Sequence, residues 1–491
     1  MRWGFPSVGK SAELLFVLLA SGAVFVTHAR WVLTHFSVGG NLFDSGWLAY
    51  LFGSGDPLLH SPSAVDPQRL SFYTQHLSPY IYLFGTPLSH LFGLSGIRIF
   101  AYHQGLFFAL FFIALWLITS TLQPGRRDWA VGAFCAITIG MLSNVLLQAA
   151  AYPHYEIALI ALSSLAVAAW LSNHHLVLAF CLLCLPVIRE DGGFYAVFVC
   201  LACMAMDYSP GRGRDPRIVR LGVAALLGFT ASVAALLVKA RYFPSMWFDF
   251  SFQFSGNSWD HVSSALIGER LESLIRNPNT MPVLAGSAIL AVVNVRYASG
   301  FVLLCPLYAL HLLSVRPALG EFTLYYALPW LLPAVVWLAV FARRSRAATA
   351  ALPESMILLV LAIALSVPMH RAIGAQRQYS YVVKLAFVRP VVDLPSVERF
   401  ALETRQNYAR GALDGTSART QCVSQGVAAL IPNAVQPGEA VYVDSDLAHC
   451  RTLLLLNGGS EYGPLSARAD AHQLKPVATR HNASFWVREA R

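Results

Sequence analysis

Eleven apolar runs, separated by loops in which basic residues collect, constrain this chain more than any single motif. They lie near 14–34, 97–120, 128–150, 156–172, 175–188, 193–207, 217–239, 281–294, 299–314, 325–342 and 352–369. A bilayer-spanning helix needs about 20 mostly apolar residues, fewer where the bilayer thins or the helix ends in a cavity. Of the 491 residues, 56% are hydrophobic and 12% charged, against about 25% charged in soluble domains. The chain therefore reads as an integral membrane protein, and its net charge of +9 is no signal for nucleic acid. Arg2 and Lys10 precede the first run. No clear small-residue cleavage site follows it, so with Glu13 and Arg30 it fits a retained span better than a signal peptide.

The basic loops set the orientation. Gly125-Arg126-Arg127, the segment from Gly211 to Arg217, and Arg343-Arg344-Ser345-Arg346 are the strongest, and the positive-inside tendency puts them in the cytoplasm. The loops at 35–96, 151–155, 189–192, 240–280 and 315–324 then face outward. Eleven spans place the N-terminus inside and the C-terminus outside. Residues 77–94 are apolar but interrupted by Pro79, Gly85 and Pro87, and they read as an interfacial or re-entrant helix. The 33 residues from His175 to Asp207 are short for two full spans. Two short helices with the turn Arg189-Glu190-Asp191-Gly192-Gly193 sunk below the outer surface reconcile the count.

After Met369 the composition turns to ordinary polarity. The expected architecture is an α-helical polytopic membrane domain (1–370, about 11 transmembrane helices, outer loops 35–96 and 240–280) and a soluble tail, 371–491. The tail shows helix-like stretches near 396–411 and 420–430 and a strand at Ala440-Val441-Tyr442-Val443-Asp444, which predicts a small C-terminal α/β extracytoplasmic domain. Six cysteines lie in apolar spans. The Cys-x-x-Cys spacings at 181/184 and 200/203 read as small packing residues rather than metal or redox motifs. Cys422 and Cys450 are the only pair in the tail and form a disulfide candidate if it lies outside the cytoplasm.

The carboxylates between helices gather on the outward side: Asp44, Asp56 and Asp66, then Glu156, then Glu190 and Asp191. Asp44 is suited to general-base work or metal ligation at the membrane surface; as an Asp before Ser-Gly-Trp-Leu it is equally suited to cap a helix. His76 is suited to bind a phosphate or sugar hydroxyl, or to cap the segment that follows. Arg189 either serves the site or pairs with Glu190 or Asp191 to seat the turn, since charges at such depth need partners or a wet cavity.

Asn41-Leu42-Phe43-Asp44, His76-Leu77-Ser78-Pro79 and Arg189-Glu190-Asp191 together resemble the Tyr/Phe-Asp, His-Phe-Ser-Pro and Lys-Glu-Asp signatures of a family of predicted prokaryotic membrane proteins of unknown function. Leu77 and Arg189 depart mildly from that pattern. The family is similar in layout to the GT-C glycosyltransferases, which use polyprenyl-phosphate sugars; the resemblance covers roughly 10–370 and implies a plasma membrane of prokaryotic inner-membrane type. It implies a catalytic acid in the first outer loop (Asp44), a second in the next outer loop (Glu156), and a long outer loop after the seventh span (240–280). That loop either covers a lipid-linked substrate or rests on the bilayer as an aromatic belt. The implied reaction is inverting transfer from a polyprenyl-phosphate sugar to a glycan, lipid or protein acceptor. Arg189, Arg241 or Arg316 would neutralise the phosphate. His154 and Glu156 would position the acceptor or help bind a divalent cation, with Asp44 and Glu156 as its ligands if one is used.

Two other classes compete. A lipid or lipid-linked-sugar transporter or flippase places ionisable groups near the midplane, whereas His103, Asn144, Gln148 and His311 are the main polar residues at the span centres here. A non-catalytic assembly protein would use the tail to bind a partner.

Overall fold

The computed structural model describes residues 8–35, 42–60, 71–123, 126–151, 153–207, 215–244, 261–315, 317–347 and 352–366, and in the tail 396–397, 399–404, 406, 421–424, 427, 440–442, 447, 450–456, 462–480 and 483–488. By their contacts the residues sort into two units. One holds 1–27, 75–78 and 105–384; the other holds 28–74, 79–104 and 385–491. The boundary expected near 370 lies outside the described residues.

Within the described residues, each of the eleven apolar runs is largely helical. In chain order the elements are α1 (Val8–His35), α2 (Leu42–Gly53), α3 (Pro79–Phe92), α4 (Gly96–Thr119), α5 (Arg127–Leu142), α6 (Asn144–Ala151), α7 (Ile157–Leu171), α8 (His175–Ile188), α9 (Gly192–Asp207) and α10 (Pro216–Tyr242). They continue with α11 (Ser264–Arg276), α12 (Met281–Val293), α13 (Ser299–Val302), α14 (Cys305–Leu312), α15 (Leu331–Arg346) and α16 (Leu352–Ser366). Among the described residues, five helices are long and apolar enough to cross a membrane, or six if the pair bent by 43° at Leu303–Leu304 is one span. The runs at α7, α8, α9, α12 and α16 are shorter, at 13 to 16 residues. The chain is an integral membrane protein, mostly α-helical, with a small sheet.

In the first unit α7 and α15 form the centre. A helix apolar on every face belongs in a core, and nearly every residue from Ile157 to Leu171 and from Leu331 to Ala342 is buried. α8 and α15 pack on α7, α9 packs on α10, and α16 lies between α5 and α12. By contrast α10 leaves Leu226, Leu227 and Leu237 about two-thirds exposed, as a lipid-facing helix does. At the far end of α15 the buried Glu354 accepts from Arg344 Nε at 2.8 Å and from the Tyr297 hydroxyl.

Part of the loop expected at 240–280 is helical. Its second half is the amphipathic α11, capped by Ser263, whose Oγ accepts from the Leu266 N–H at 3.1 Å. Arg270 is buried there beside Glu321, at 3.3 Å. A search keyed to apolar runs passes over such a half-polar helix. The aromatic residues 245–260 lie outside the described residues.

In the second unit α2 packs on α3, which opens on Pro79 and contains Pro87. Gly85 permits this contact, because a Cβ there would collide with the Phe52 carbonyl oxygen. Phe52 is fully buried among Phe84, Phe100 and His103, with ring centroids 6.1, 5.5 and 5.2 Å away.

The tail holds a five-stranded sheet, order β2-β1-β3-β5-β4, from β1 (Gln421–Ser424), β2 (Ala440–Tyr442), β3 (Thr452–Leu456), β4 (Leu474–Arg480) and β5 (Ala483–Arg488). β1 runs parallel to β2 and β3, while β5 is antiparallel to β3 and β4. A disulfide joins Cys422 to Cys450 within a core of Leu453, Leu455, Leu474 and Trp486. The helix expected at 420–430 is corrected at its start, where Gln421–Ser424 is a central strand. Four residues are too few for periodicity to separate helix from strand, and pairing on both sides decides it. Of 396–411, the described residues are helical.

Candidate functional site

The turn between α8 and α9 is buried and gathers charge. Arg189 and Glu190 are 9% and 7% exposed. Two glycines make the turn: the Gly192 N–H donates to the Arg189 carbonyl at 2.8 Å, and α9 starts at Gly192. A Cβ at Gly193 would collide with the Gly228 carbonyl oxygen of α10, so this position sets how closely α9 approaches α10.

Arg189 does not pair with its neighbour Glu190. Its Nε donates to Asp191 Oδ1 at 2.5 Å and its Nη2 to Asp191 Oδ2, a fork in which both donors find both oxygens. Its Nη1 donates to Glu156, brought in at the start of α7. Glu190 is held from two other directions. His76 Nδ1 lies 3.1 Å and Lys239 Nζ 3.6 Å from its Oε1. Its Oε2 is buried without a hydrogen-bond partner among the described residues. The Ser78 hydroxyl donates to the Ile188 carbonyl, so the His76–Ser78 segment is tied to the Ile188–Asp191 turn at two points.

His154 completes the group. Its ring stacks on Tyr325 at 4.0 Å and 8°, and its Nδ1 is 3.8 Å from Glu156 Oε1. Burial raises Glu156 above the ordinary carboxylate range, although Arg189 pulls the other way. Burial also pushes Glu190 up, but His76, Lys239 and Arg189 outweigh it and hold the group at about 2. Glu190 is therefore a lasting anion. Glu156, Glu190 and Asp191 face Arg189 and Lys239, so the cluster is close to charge-balanced rather than strongly cationic.

No family model matches the chain, and no curated protein matches it. The cryo-EM structure of the arabinofuranosyltransferase AftD from Mycobacteria is similar to it with a TM-score of 0.46 and 13% identity, over 97% of this chain. This chain spans 40% of that protein's length. The crystal structure of the Archaeoglobus fulgidus oligosaccharyltransferase, a complex with Zn and sulfate, gives a TM-score of 0.38 and 12% identity, over 91% of this chain and 69% of that one. Both likenesses concern the trace and carry no residue roles.

Six of the residues singled out in the sequence come together in this cluster: His76, His154, Glu156, Arg189, Glu190 and Asp191. Asp44 lies in the first turn of α2, two residues after its start at Leu42 rather than at the cap before it, and its side chain lies outside the described residues. Arg241 is exposed in the last turn of α10, and Arg316 lies outside the described residues. Sequence reasoning missed Lys239 and Tyr325. A lysine closing an apolar helix was a readable signal for Lys239; nothing in the sequence set Tyr325 apart. Among the described residues no group of three or more His, Cys, Asp or Glu is placed to hold a metal ion. Glu156, one of the two metal-ligand candidates, is engaged by Arg189.

Proposed function

We propose that the protein is an inverting glycosyltransferase that moves a sugar from a polyprenyl-phosphate donor to an acceptor hydroxyl at the outer face of the membrane. The observation that carries this reading is the Glu190 carboxylate, fixed through Oε1 by His76 and Lys239, with an Oε2 that is buried and has no hydrogen-bond partner among the described residues. An unmet buried acceptor costs about 1–3 kcal/mol, and a hydroxyl of the acceptor or sugar donating to Oε2 removes that cost. A near-neutral cluster of carboxylates, imidazoles and a stacked aromatic pair suits a hydroxyl-rich ligand better than a phosphate.

The phosphate falls instead to Arg241 and Arg316, since Arg189 already serves two carboxylates. Glu156 and Asp191 act through Arg189 as positioning residues, and the half-buried Tyr325, backed by the buried His154, offers its ring to a sugar. Asp44 takes the proton from the acceptor hydroxyl as its oxygen bonds to the anomeric carbon. The bond from that carbon to the phosphate oxygen breaks, and polyprenyl phosphate leaves with the electron pair. The position of the cluster at helix ends, rather than at span centres, favours this reading over a conduction path.

The test is glycosyl transfer by the purified protein in nanodiscs, supplied with a panel of radiolabelled polyprenyl-phosphate sugars, with and without a divalent cation. Turnover that is lost in Asp44→Asn and reduced in Glu190→Gln is the expected result. Full activity in a well-folded Asp44→Asn protein removes Asp44 from the mechanism. Absence of turnover with every donor, alongside lipid movement between leaflets, replaces the proposal with transport.

A further inference from the structure

Between the first turns of α8 and α10 lies a cleft of about 210 Å³, walled by Trp170, Leu178, Leu182 and Leu221 and bordered by His175, Arg217 and Arg220. Its walls are apolar and its mouth is basic. It sits at the start of α8, whereas the charged turn at Arg189 follows the end of that helix. The surfaces beside it are those a bilayer would cover: Leu176 and Leu183 are 88% and 74% exposed and Val223 is 53% exposed.

Two acids lie near the mouth. Asp215 caps α10, its carboxylate accepting from the Arg217 backbone N–H at 2.9 Å. Asp207 pairs with Arg343 at 2.8 Å, accepts a hydrogen bond from the wall residue Trp170 and offsets part of the Arg217 charge, which leaves Arg220 and the remainder of Arg217 to meet an anion. The Arg217 guanidinium is steered by Asn173, whose side-chain oxygen accepts from Nη1 at 3.4 Å. Asn173 holds a left-handed backbone (φ 57°) in the α7–α8 turn, a conformation that Asn tolerates better than most residues. The positive-inside tendency assigns this rim to the cytoplasmic leaflet, where anionic lipids attract arginines at the surface.

We propose that the cleft holds an anionic phospholipid, with part of one acyl chain between α8 and α10 and its phosphate against Arg217 and Arg220. The combination of features selects the occupant. A free phosphate would leave the leucine and tryptophan walls uncovered, and a zwitterionic lipid would bring a cation against two arginines. The site is independent of the proposed transfer reaction.

The experiment is native mass spectrometry of the full-length protein from mild detergent, loaded with phosphatidylglycerol or phosphatidylcholine of identical chains. Wild type retains phosphatidylglycerol at least about tenfold better, as two arginines near a lipid surface allow. Arg217→Gln/Arg220→Gln lowers its retention to the phosphatidylcholine level. Ala179→Trp, which fills the cleft without changing charge, expels both lipids. The arginine variant changes only exposed side chains, so its result stands even if the cleft-filling variant folds poorly. Equal retention of the two lipids by wild type overturns the proposal. So does undiminished retention in the arginine variant, or displacement of phosphatidylglycerol by millimolar inorganic phosphate.

Discussion

His76 and Glu190, 114 residues apart in the chain, meet with the imidazole Nδ1 3.1 Å from a carboxylate oxygen, and the nearby Ser78–Ile188 hydrogen bond fastens the same two segments. Groups in such contact couple by about 0.5–3 kcal/mol. His76→Gln and Glu190→Gln are therefore expected to be non-additive in thermal midpoint, with the double variant less destabilised than the sum of the singles. A four-protein cycle in detergent reads this; additive effects would show that the contact contributes nothing.

Arg189 carries a heavier structural load. Removing it leaves Glu156, 7% exposed in its side chain, as a buried acid without its cation. One-sided loss of a buried pair costs about 3–5 kcal/mol, so Arg189→Ala is expected to lower the thermal midpoint sharply. Arg189→Lys recovers only part of the loss, because a lysine cannot fork onto Asp191 while reaching Glu156. Replacing Glu156 by Gln in the Arg189→Ala background restores part of the midpoint.

Gly193→Val tests the close approach of α9 to α10. Its Cβ would overlap the Gly228 carbonyl, which is backbone and cannot swing aside. Overpacking costs about 1–3 kcal/mol, occasionally more. Gly222→Val in the same fold meets nothing within 4 Å and serves as the matched control. A drop for Gly193→Val no larger than the control would refute the close approach.

The helical fold was legible because the length of apolar runs obeys the solvent physics of the bilayer, which acts on long stretches. The cluster was legible only as a roll of residues. Which acid meets Arg189 depends on how the turn is folded, and Glu190, the nearest in sequence, points to His76 and Lys239 instead. Amphipathic α11 and strand Gln421–Ser424 were missed for a related reason. One is half polar and the other only four residues long, so neighbours decide each of them and the local pattern does not.

The Cys422–Cys450 disulfide closes a separation of 28 residues, for which chain-entropy arguments give about 3–4 kcal/mol. Cys422→Ser/Cys450→Ser is expected to make the tail more susceptible to limited proteolysis while leaving the helical circular-dichroism signal unchanged. Thiol labelling of denatured wild type without reductant is expected to modify six cysteines rather than eight, since six are free.

The opposed shifts of the two glutamates predict opposite pH responses. Glu190 is depressed from 4.5 to about 2, so its ionised form stabilises the fold above the ordinary value, and that contribution is lost as pH falls toward 2. Glu156 is raised, so its contribution is present at pH below the ordinary value and fades as pH rises through its folded value. The difference in thermal midpoint between wild type and Glu190→Gln should narrow on acidification, whereas that between wild type and Glu156→Gln should shift toward favouring wild type.

The helices that flank the charged turn, α8 and α9, have 14 and 16 residues, or about 21–24 Å at 1.5 Å per residue. A typical hydrocarbon core is about 30 Å thick. Hydrophobic mismatch of this sign is relieved by local thinning of the bilayer, at a cost that grows with the difference in length. Helices this short suit a thin stretch of membrane, and because Arg189 carries its counter-charges with it in Glu156 and Asp191, its guanidinium sits at their junction without facing hydrocarbon.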